Sequence, residues 1–342
     1  MKTYGVALHR PGADPDVVFP LLRARSTDLC LLVVAITWGA SYLGAKDATG
    51  VVSADSVVFL RYAVSALACL LTVRFTAARR GQSVVTSREV RVGGLLGVTQ
   101  AAVLYLETHG VAHTSAAAAG VLMSLTIILT PLAGVVAGTR VPGRLYAAAG
   151  VCIVGVAVML GTGLGADGWR GDLLVLAAAA IRAGHVTLIG RFVPPGPVNR
   201  VSLRPLPLTT VQFVVGTALS APLGLPQLTA SPAVLVRPAL VASILFLAVC
   251  CSVFAFLAQT WALQRTSANR ASLLLGTEPL WAVAAAVALG GERLSIKVAL
   301  GAAMVVAGCW WGGAIEQRSR NQSSPRQVPS AGAVASRRAA QL

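Results

Sequence analysis

The stretch Phe254–Ser295 reads FAFLAQTWALQRTSANRASLLLGTEPLWAVAAAVALGGERLS. An apolar run ends at Leu263, a polar break Gln264-Arg265-Thr266-Ser267-Ala268-Asn269-Arg270 follows, and a second apolar run closes on Gly291-Glu292-Arg293. Two apolar runs of about 20 residues joined by a polar hinge are what a helical hairpin in lipid requires. An acid and a proline, Glu278-Pro279, stand inside the second run. Each is costly at mid-span and calls for a reason.

The whole chain extends this pattern. Of 342 residues, 56% are hydrophobic and 12% are charged, against about 25% charged in soluble domains. That little polar surface cannot cover soluble cores at this length. It also argues against a β-barrel, whose strands alternate apolar and polar residues. The expected fold is all-α, a polytopic membrane protein with ten transmembrane helices at roughly 29–46, 54–75, 92–110, 116–138, 144–162, 171–191, 207–225, 238–262, 270–290 and 296–315. Residues 1–28 show no cleavable signal pattern, so the first span serves as its own insertion signal. The Ser- and Arg-rich stretch 316–342 is expected to be a disordered cytoplasmic tail.

The formal net charge is +16. In a soluble chain this would point to nucleic acid; here it marks cytoplasmic loops. With the N-terminus inside, Lys46, Arg170, Arg237, Arg293 and Lys297 fall outside, Arg61 and Arg182 fall within spans, and every other Lys and Arg falls inside. Both termini are therefore expected in the cytoplasm. The six cysteines, Cys30, Cys69, Cys152, Cys250, Cys251 and Cys309, make no C-x-x-C and read as reduced apolar side chains.

The chain also repeats itself. Ala35-Ile36-Thr37-Trp38-Gly39 and Lys46 align with Ala180-Ile181-Arg182-Ala183-Gly184 and Arg191, and Thr114-Ser115-Ala116 aligns with Thr266-Ser267-Ala268. Pro131 answers Pro279 about one helical turn further along from its Thr-Ser-Ala. Five spans per unit is an odd number, so the second unit (166–315) enters the membrane inverted relative to the first (29–165). Inverted repeats of this kind place a binding site between them near the midplane.

These residues resemble the drug/metabolite transporter superfamily, specifically its EamA-like proteins. The motifs carrying the resemblance are Ile36-Thr37-Trp38-Gly39-Ala40-Ser41-Tyr42, Phe59-Leu60-Arg61-Tyr62, Gly171-Asp172-Leu173-Leu174, and the run from Ala262 through Glu278-Pro279 to Gly291-Glu292-Arg293-Leu294. It departs from the family pattern at Gly138-Thr139-Arg140, at Thr130-Pro131 and at Arg182. The resemblance implies a secondary transporter of small metabolites such as amino acids, often an exporter. A nucleotide-sugar or triose-phosphate carrier is the alternative; it should present several cavity cations. A membrane-embedded enzyme would need a nucleophile beside a base or clustered metal ligands.

Candidate substrate-binding residues follow from polarity inside apolar spans. Trp38, Ser41 and Tyr42 share a helix face and suit a small organic solute. Arg61 should pair with Glu107 or clamp a substrate carboxylate. Arg182 should face a cavity or a carboxylate, with His185 one turn along as a potential proton acceptor. Gln259 needs a partner. Glu278 either titrates, coupling transport to protons, or caps a broken helix or pairs with Arg182. Pro131 and Pro279 are expected to loosen their helices as gating kinks. His109 and His113 are four apart, but no Glu occupies the H-E-x-x-H position and a loop is expected between them. No metal or cofactor is expected. The expected partners are a small-molecule substrate and the lipid bilayer, with proton coupling and a homodimer both left open and nucleic acid not expected.

Overall fold

In the computed structural model, residues 15–81, 83–136, 142–160, 165–192, 203–263 and 274–323 are described. The hinge 264–273, the glycine-rich stretch 161–164 and the chain ends beyond these bounds lie outside the described residues. Among the described residues the structure is helical throughout: α1 (Pro15–Thr49), α2 (Ala54–Arg80), α3 (Ser87–His113), α4 (Ala116–Met123), α5 (Thr126–Val136), α6 (Gly143–Leu160), α7 (Gly165–Phe192), α8 (Pro205–Ala230), α9 (Pro238–Leu245), a π-helical segment (Phe246–Phe254), α10 (Ala255–Leu263), α11 (Glu278–Ala288) and α12 (Ile296–Ser323).

Helices start where a hydroxyl can take an orphan amide. The Ser53 side chain accepts from the Ser56 amide at the start of α2, and Ser115 accepts from Ala118 at the start of α4. Thr86 and Glu89 form a reciprocal capping box at the start of α3. Helix α2 stops at Gly81, which takes φ 60°, a backbone region few other residues tolerate.

Among the described residues, seven helical stretches are long and apolar enough to cross a membrane: Ser26–Thr49, Ala54–Arg80, Ala116–Ala133, Trp169–Ile189, Pro205–Ala230, Pro238–Gln259 and Ile296–Ile315. Gly143–Val158 and Glu278–Ala288 are apolar but shorter. Helix α3 covers the third expected span, yet Gln100, Glu107 and His109 dilute its apolar character. The protein is thus a multi-pass membrane protein. Helix α1 already begins at Pro15, inside the N-terminal segment, and α12 runs on to Ser323, past the expected start of the disordered tail.

The largest contacts join the front of the chain to the back: α6 to α12, α2 to α8, α3 to α7 and α8, and α1 to α11. Small residues permit this closeness. A Cβ on Gly39 would come within 2.6 Å of the Trp281 Cβ, and one on Gly120 would collide with Ala282. Gly216 seats the Tyr62 ring and Gly224 seats Phe59, so α2 and α8 run in opposite senses. Gly93 and Gly97 meet Val211 and Val215 in order, so α3 and α8 run in the same sense.

Two spans are interrupted. The fourth breaks at Ser124-Leu125, where Ser124 N–H donates to Val121 O and Leu125 N–H to Leu122 O in tightened turns. The ninth breaks at Gly276-Thr277, and Thr277 N–H donates to Leu274 O. Counted from the two Thr-Ser-Ala motifs, the breaks fall at the same register, although the prolines do not. Pro279 therefore lies in the first turn of α11, where no helical donor is missing. Pro279, expected as a kink within its helix, thus stands at the start of one. Pro131 lies inside α5, after the break.

Candidate functional site

Helix α1 brings its Trp38 face against α11 and the π segment. Tyr42 is buried, and its hydroxyl donates to Glu278 Oε1 at 2.7 Å. The Trp38 indole N–H donates to the Cys251 carbonyl at 2.9 Å. The Arg182 guanidinium carbon stands 5.5 Å from the centre of the Trp38 ring, a cation–π distance. Phe256 meets the same ring edge-on at 5.8 Å, and Phe213 and Tyr62 continue the aromatic row. Trp38, Tyr42, Arg182 and Glu278 thus come together from three helices far apart in sequence.

The π segment explains the second cation. A wider helical turn releases backbone carbonyls from their usual donors. Ser65 donates to Ala248 O at 3.2 Å, Trp38 takes Cys251 O, and Ser252 donates to Leu247 O at 3.0 Å. Ser252 in turn accepts from Arg61 Nε at 3.2 Å. The expected Arg61–Glu107 ion pair is not formed. The ion pairs among the described residues are His109–Asp55 and Glu89–Arg204. Arg61 is drawn to the π segment because the segment presents a hydroxyl on the facing side. Its two terminal nitrogens make no hydrogen bond with the described residues, and neither does the Glu107 carboxylate, which lies within electrostatic reach of Arg61, Arg182 and Glu278.

The remaining candidates fall elsewhere. His185 is buried on the seam between α7 and α3, with Nδ1 2.7 Å from Thr99 Oγ1. Gln259 is half-buried on α10 and makes no hydrogen bond with the described residues. His109 and His113 lie on the continuous helix α3 rather than across a loop, and His109 Nε2 is 3.1 Å from Asp55 Oδ1. The Tyr62 hydroxyl is sealed in without a hydrogen-bond partner.

Sequence reasoning missed a polar knot one helical turn past Tyr42. Lys46 Nζ donates to the Thr114 carbonyl, and Thr114 Oγ1 donates to the buried Asp172. The Glu292 carboxylate accepts from the Ala116 and Ala117 amides at 2.8 and 3.2 Å, capping α4. Four parts of the chain meet at this one turn: the end of α1, the α3–α4 junction, α7, and the loop before α12. The signal was present, since Thr114-Ser115-Ala116, Gly171-Asp172 and Gly291-Glu292 were each singled out as motifs. Nothing in their spacing says that they converge.

At the opposite end of α3, Arg204 donates to both Glu89 oxygens, through Nε at 2.8 Å and a terminal nitrogen at 2.9 Å. Burial works against the Glu89 charge. The Arg204 hydrogen bonds and the Thr86 and Arg204 amides outweigh it and hold the carboxyl at about 2, below its ordinary 4.5.

A bundle of lipid-length helices with buried, converging charges is that of a multi-pass membrane transporter. The profile of the EamA-like transporter family matches residues 25–161 and again 169–311, and the chain belongs to that family. An uncharacterized transporter of Archaeoglobus fulgidus is 24% identical over 291 residues, covering 83% of this chain and 96% of that protein. An uncharacterized transporter of Haemophilus influenzae is 31% identical over 152 residues, 43% of this chain and 85% of that protein. A solved structure titled only as the crystal structure of a protein shares the fold at a TM-score of 0.56 and 20% identity, covering 86% of this chain and 98% of its own.

Proposed function

We propose that this protein is a secondary transporter that exports small zwitterionic metabolites, such as amino acids, across the cytoplasmic membrane by alternating access. The observation that carries this reading is the charge arrangement around Trp38. Arg182 and Glu278 are occupied with Trp38 and Tyr42, whereas the open ends of Arg61 and Glu107 stand apart, beyond ion-pair distance. An open guanidinium and an open carboxylate between aromatic walls match a solute with one carboxylate and one ammonium. Two cations balanced by two acids suit a phosphorylated solute poorly.

We read the architecture as ten spans in two inverted units, 29–165 and 166–315, with both termini in the cytoplasm. The contact pattern supports this. Helices α2 with α8, α4 with α11, and α6 with α12 pair equivalent spans of the two units, and the packing of α3 on α7 is answered by that of α1 on α9, the π segment and α10. The matched breaks at Ser124-Leu125 and Gly276-Thr277 support it too. The knot at Thr114 then closes the pocket toward the outside and must part for release. Glu278, hydrogen-bonded to Tyr42, is the group through which a proton gradient would act.

The test is efflux from sealed proteoliposomes against a panel of amino acids and aromatic metabolites, with and without a pH gradient. Accumulation of an unchanged zwitterion supports the reading. Chemical conversion of the solute, or movement of phosphorylated solutes only, overturns it.

A further inference from the structure

Helices α6 and α12 form a close pair away from the cluster of Trp38, Tyr42, Arg182 and Glu278. They run in opposite senses. Gly155 abuts Gly301 and Met304, and Gly308 abuts Ala148 and Cys152. A Cβ on Gly308 would stand 2.5 Å from the Cys152 sulfur and 3.1 Å from the Ala148 carbonyl, so the backbones touch here. Cys152 and Cys309 face each other across this seam with their sulfurs 3.9 Å apart. Cys152 Sγ also donates to Val305 O at 3.6 Å, and Cys309 Sγ to Ser124 O at 3.4 Å, beside the break of the fourth span. The other cysteines are engaged elsewhere or stand apart: Cys30 with Ala258 O, Cys251 with Thr37 O, and Cys69 on α2.

We infer that Cys152 and Cys309 form a redox-active dithiol, an oxidation site that a bilayer-permeant two-electron acceptor closes to a disulfide. A disulfide needs Cα atoms within about 4.4–6.8 Å and the sulfurs drawn to about 2.05 Å. Two helices packed on glycine bring the backbones close, and sulfurs already 3.9 Å apart need small side-chain rotations to bond. With a fully substituted quinone, the two thiols lose two protons and two electrons, a sulfur–sulfur bond forms, and the quinone leaves as its quinol. With diamide, the azo group becomes a hydrazine by the same exchange. Cys152 and Cys309 are each 1% exposed, so an oxidant reaches them only as the α6–α12 seam opens from its lipid-facing side, where Ile153, Val154, Leu300, Trp310 and Trp311 are exposed. The bond ties the first family-matched stretch to the second and draws Cys309 away from Ser124. In the transporter reading this slows turnover, but the chemistry does not depend on that reading.

The experiment is peptide mapping of the full-length protein in liposomes after diamide or decylubiquinone, with free thiols blocked by N-ethylmaleimide before unfolding. The expected product is an intramolecular link between the Cys152 and Cys309 peptides, two hydrogens lighter than the reduced pair and lost on dithiothreitol treatment. It disappears in C152S and in C309S and persists in C69S. Formation with diamide alone still supports the dithiol but overturns the quinone as oxidant. Full alkylation of both cysteines after either oxidant, or links only between separate chains, overturns the proposal. Transport measured on the same samples is a separate readout, so a silent transport assay leaves the mapping result intact.

Discussion

Tyr42 donates its phenolic hydrogen to Glu278 across the contact between α1 and α11. It does so where Gly39 lets the two backbones meet within reach of Trp281, Ala282 and the Glu278 carbonyl. Close packing and a polar contact are here one arrangement: without a small residue at 39, Tyr42 could not reach the acid. Tyr42→Phe keeps the ring and removes the donor. It should lower stability by about 1 kcal/mol, the worth of one hydrogen bond already made in the folded protein, measured as a lower Tm in detergent.

Glu278→Gln separates binding from coupling. The amide still accepts from Tyr42, so solute exchange between equal pools should continue. Efflux driven by a pH gradient should fall to the level without a gradient. A gradient response equal to wild type would remove Glu278 as the proton-linked group.

Glu89 and Arg204 give a pH signature outside the membrane-spanning segments. The carboxyl is held at about 2 in the folded protein against an ordinary 4.5. The folded state therefore prefers the ionised acid. That stability is present in full above 4.5 and drains away as pH falls toward about 2. Glu89→Gln should cost about 2 kcal/mol near neutral pH, between the exposed and buried limits for ion pairs. The difference in Tm from wild type should shrink steadily below pH 4.5.

Gly120→Leu tests the crossing of α4 and α11. Any side chain there collides with Ala282 and the Tyr42 ring. A loss of about 3 kcal/mol, the upper range for overpacking, should appear as a lower Tm, whereas Gly94→Ala on α3, with nothing within 4 Å, should raise Tm slightly.

At the polar knot, Glu292→Gln retains an acceptor for the Ala116 and Ala117 amides but removes the charge at the start of α4. About 1 kcal/mol should be lost. Spin labels at Asp47 and Leu289, both exposed beside the knot, should report a broader distance distribution.

Much of this was readable from the chain itself. Apolar runs gave the membrane helices, and the unusual Trp38, Tyr42, Arg182 and Glu278 identified themselves by polarity or aromatic spacing. What escaped was long-range. No local pattern says that Arg61 will choose Ser252 over Glu107, because that depends on a π turn six spans later. His185 looked like a titrating group, yet its neighbour Thr99 is some eighty residues away in sequence. Pro279 is expected as a kink within its helix, yet it stands just after the break at Gly276-Thr277, in the first turn of α11.

The wide turn between Phe246 and Phe254 has one more consequence. A π turn holds a residue of slack, and sliding it along the rod turns the residues it passes by about 100°, one residue's rotation in an α-helix. A shift of that kind past Gln259 would swing its side chain around the rod axis and loosen the hold of Ser65 and Trp38 on the Ala248 and Cys251 carbonyls inside the turn. The eighth span can therefore change the face it shows its neighbours without coming apart.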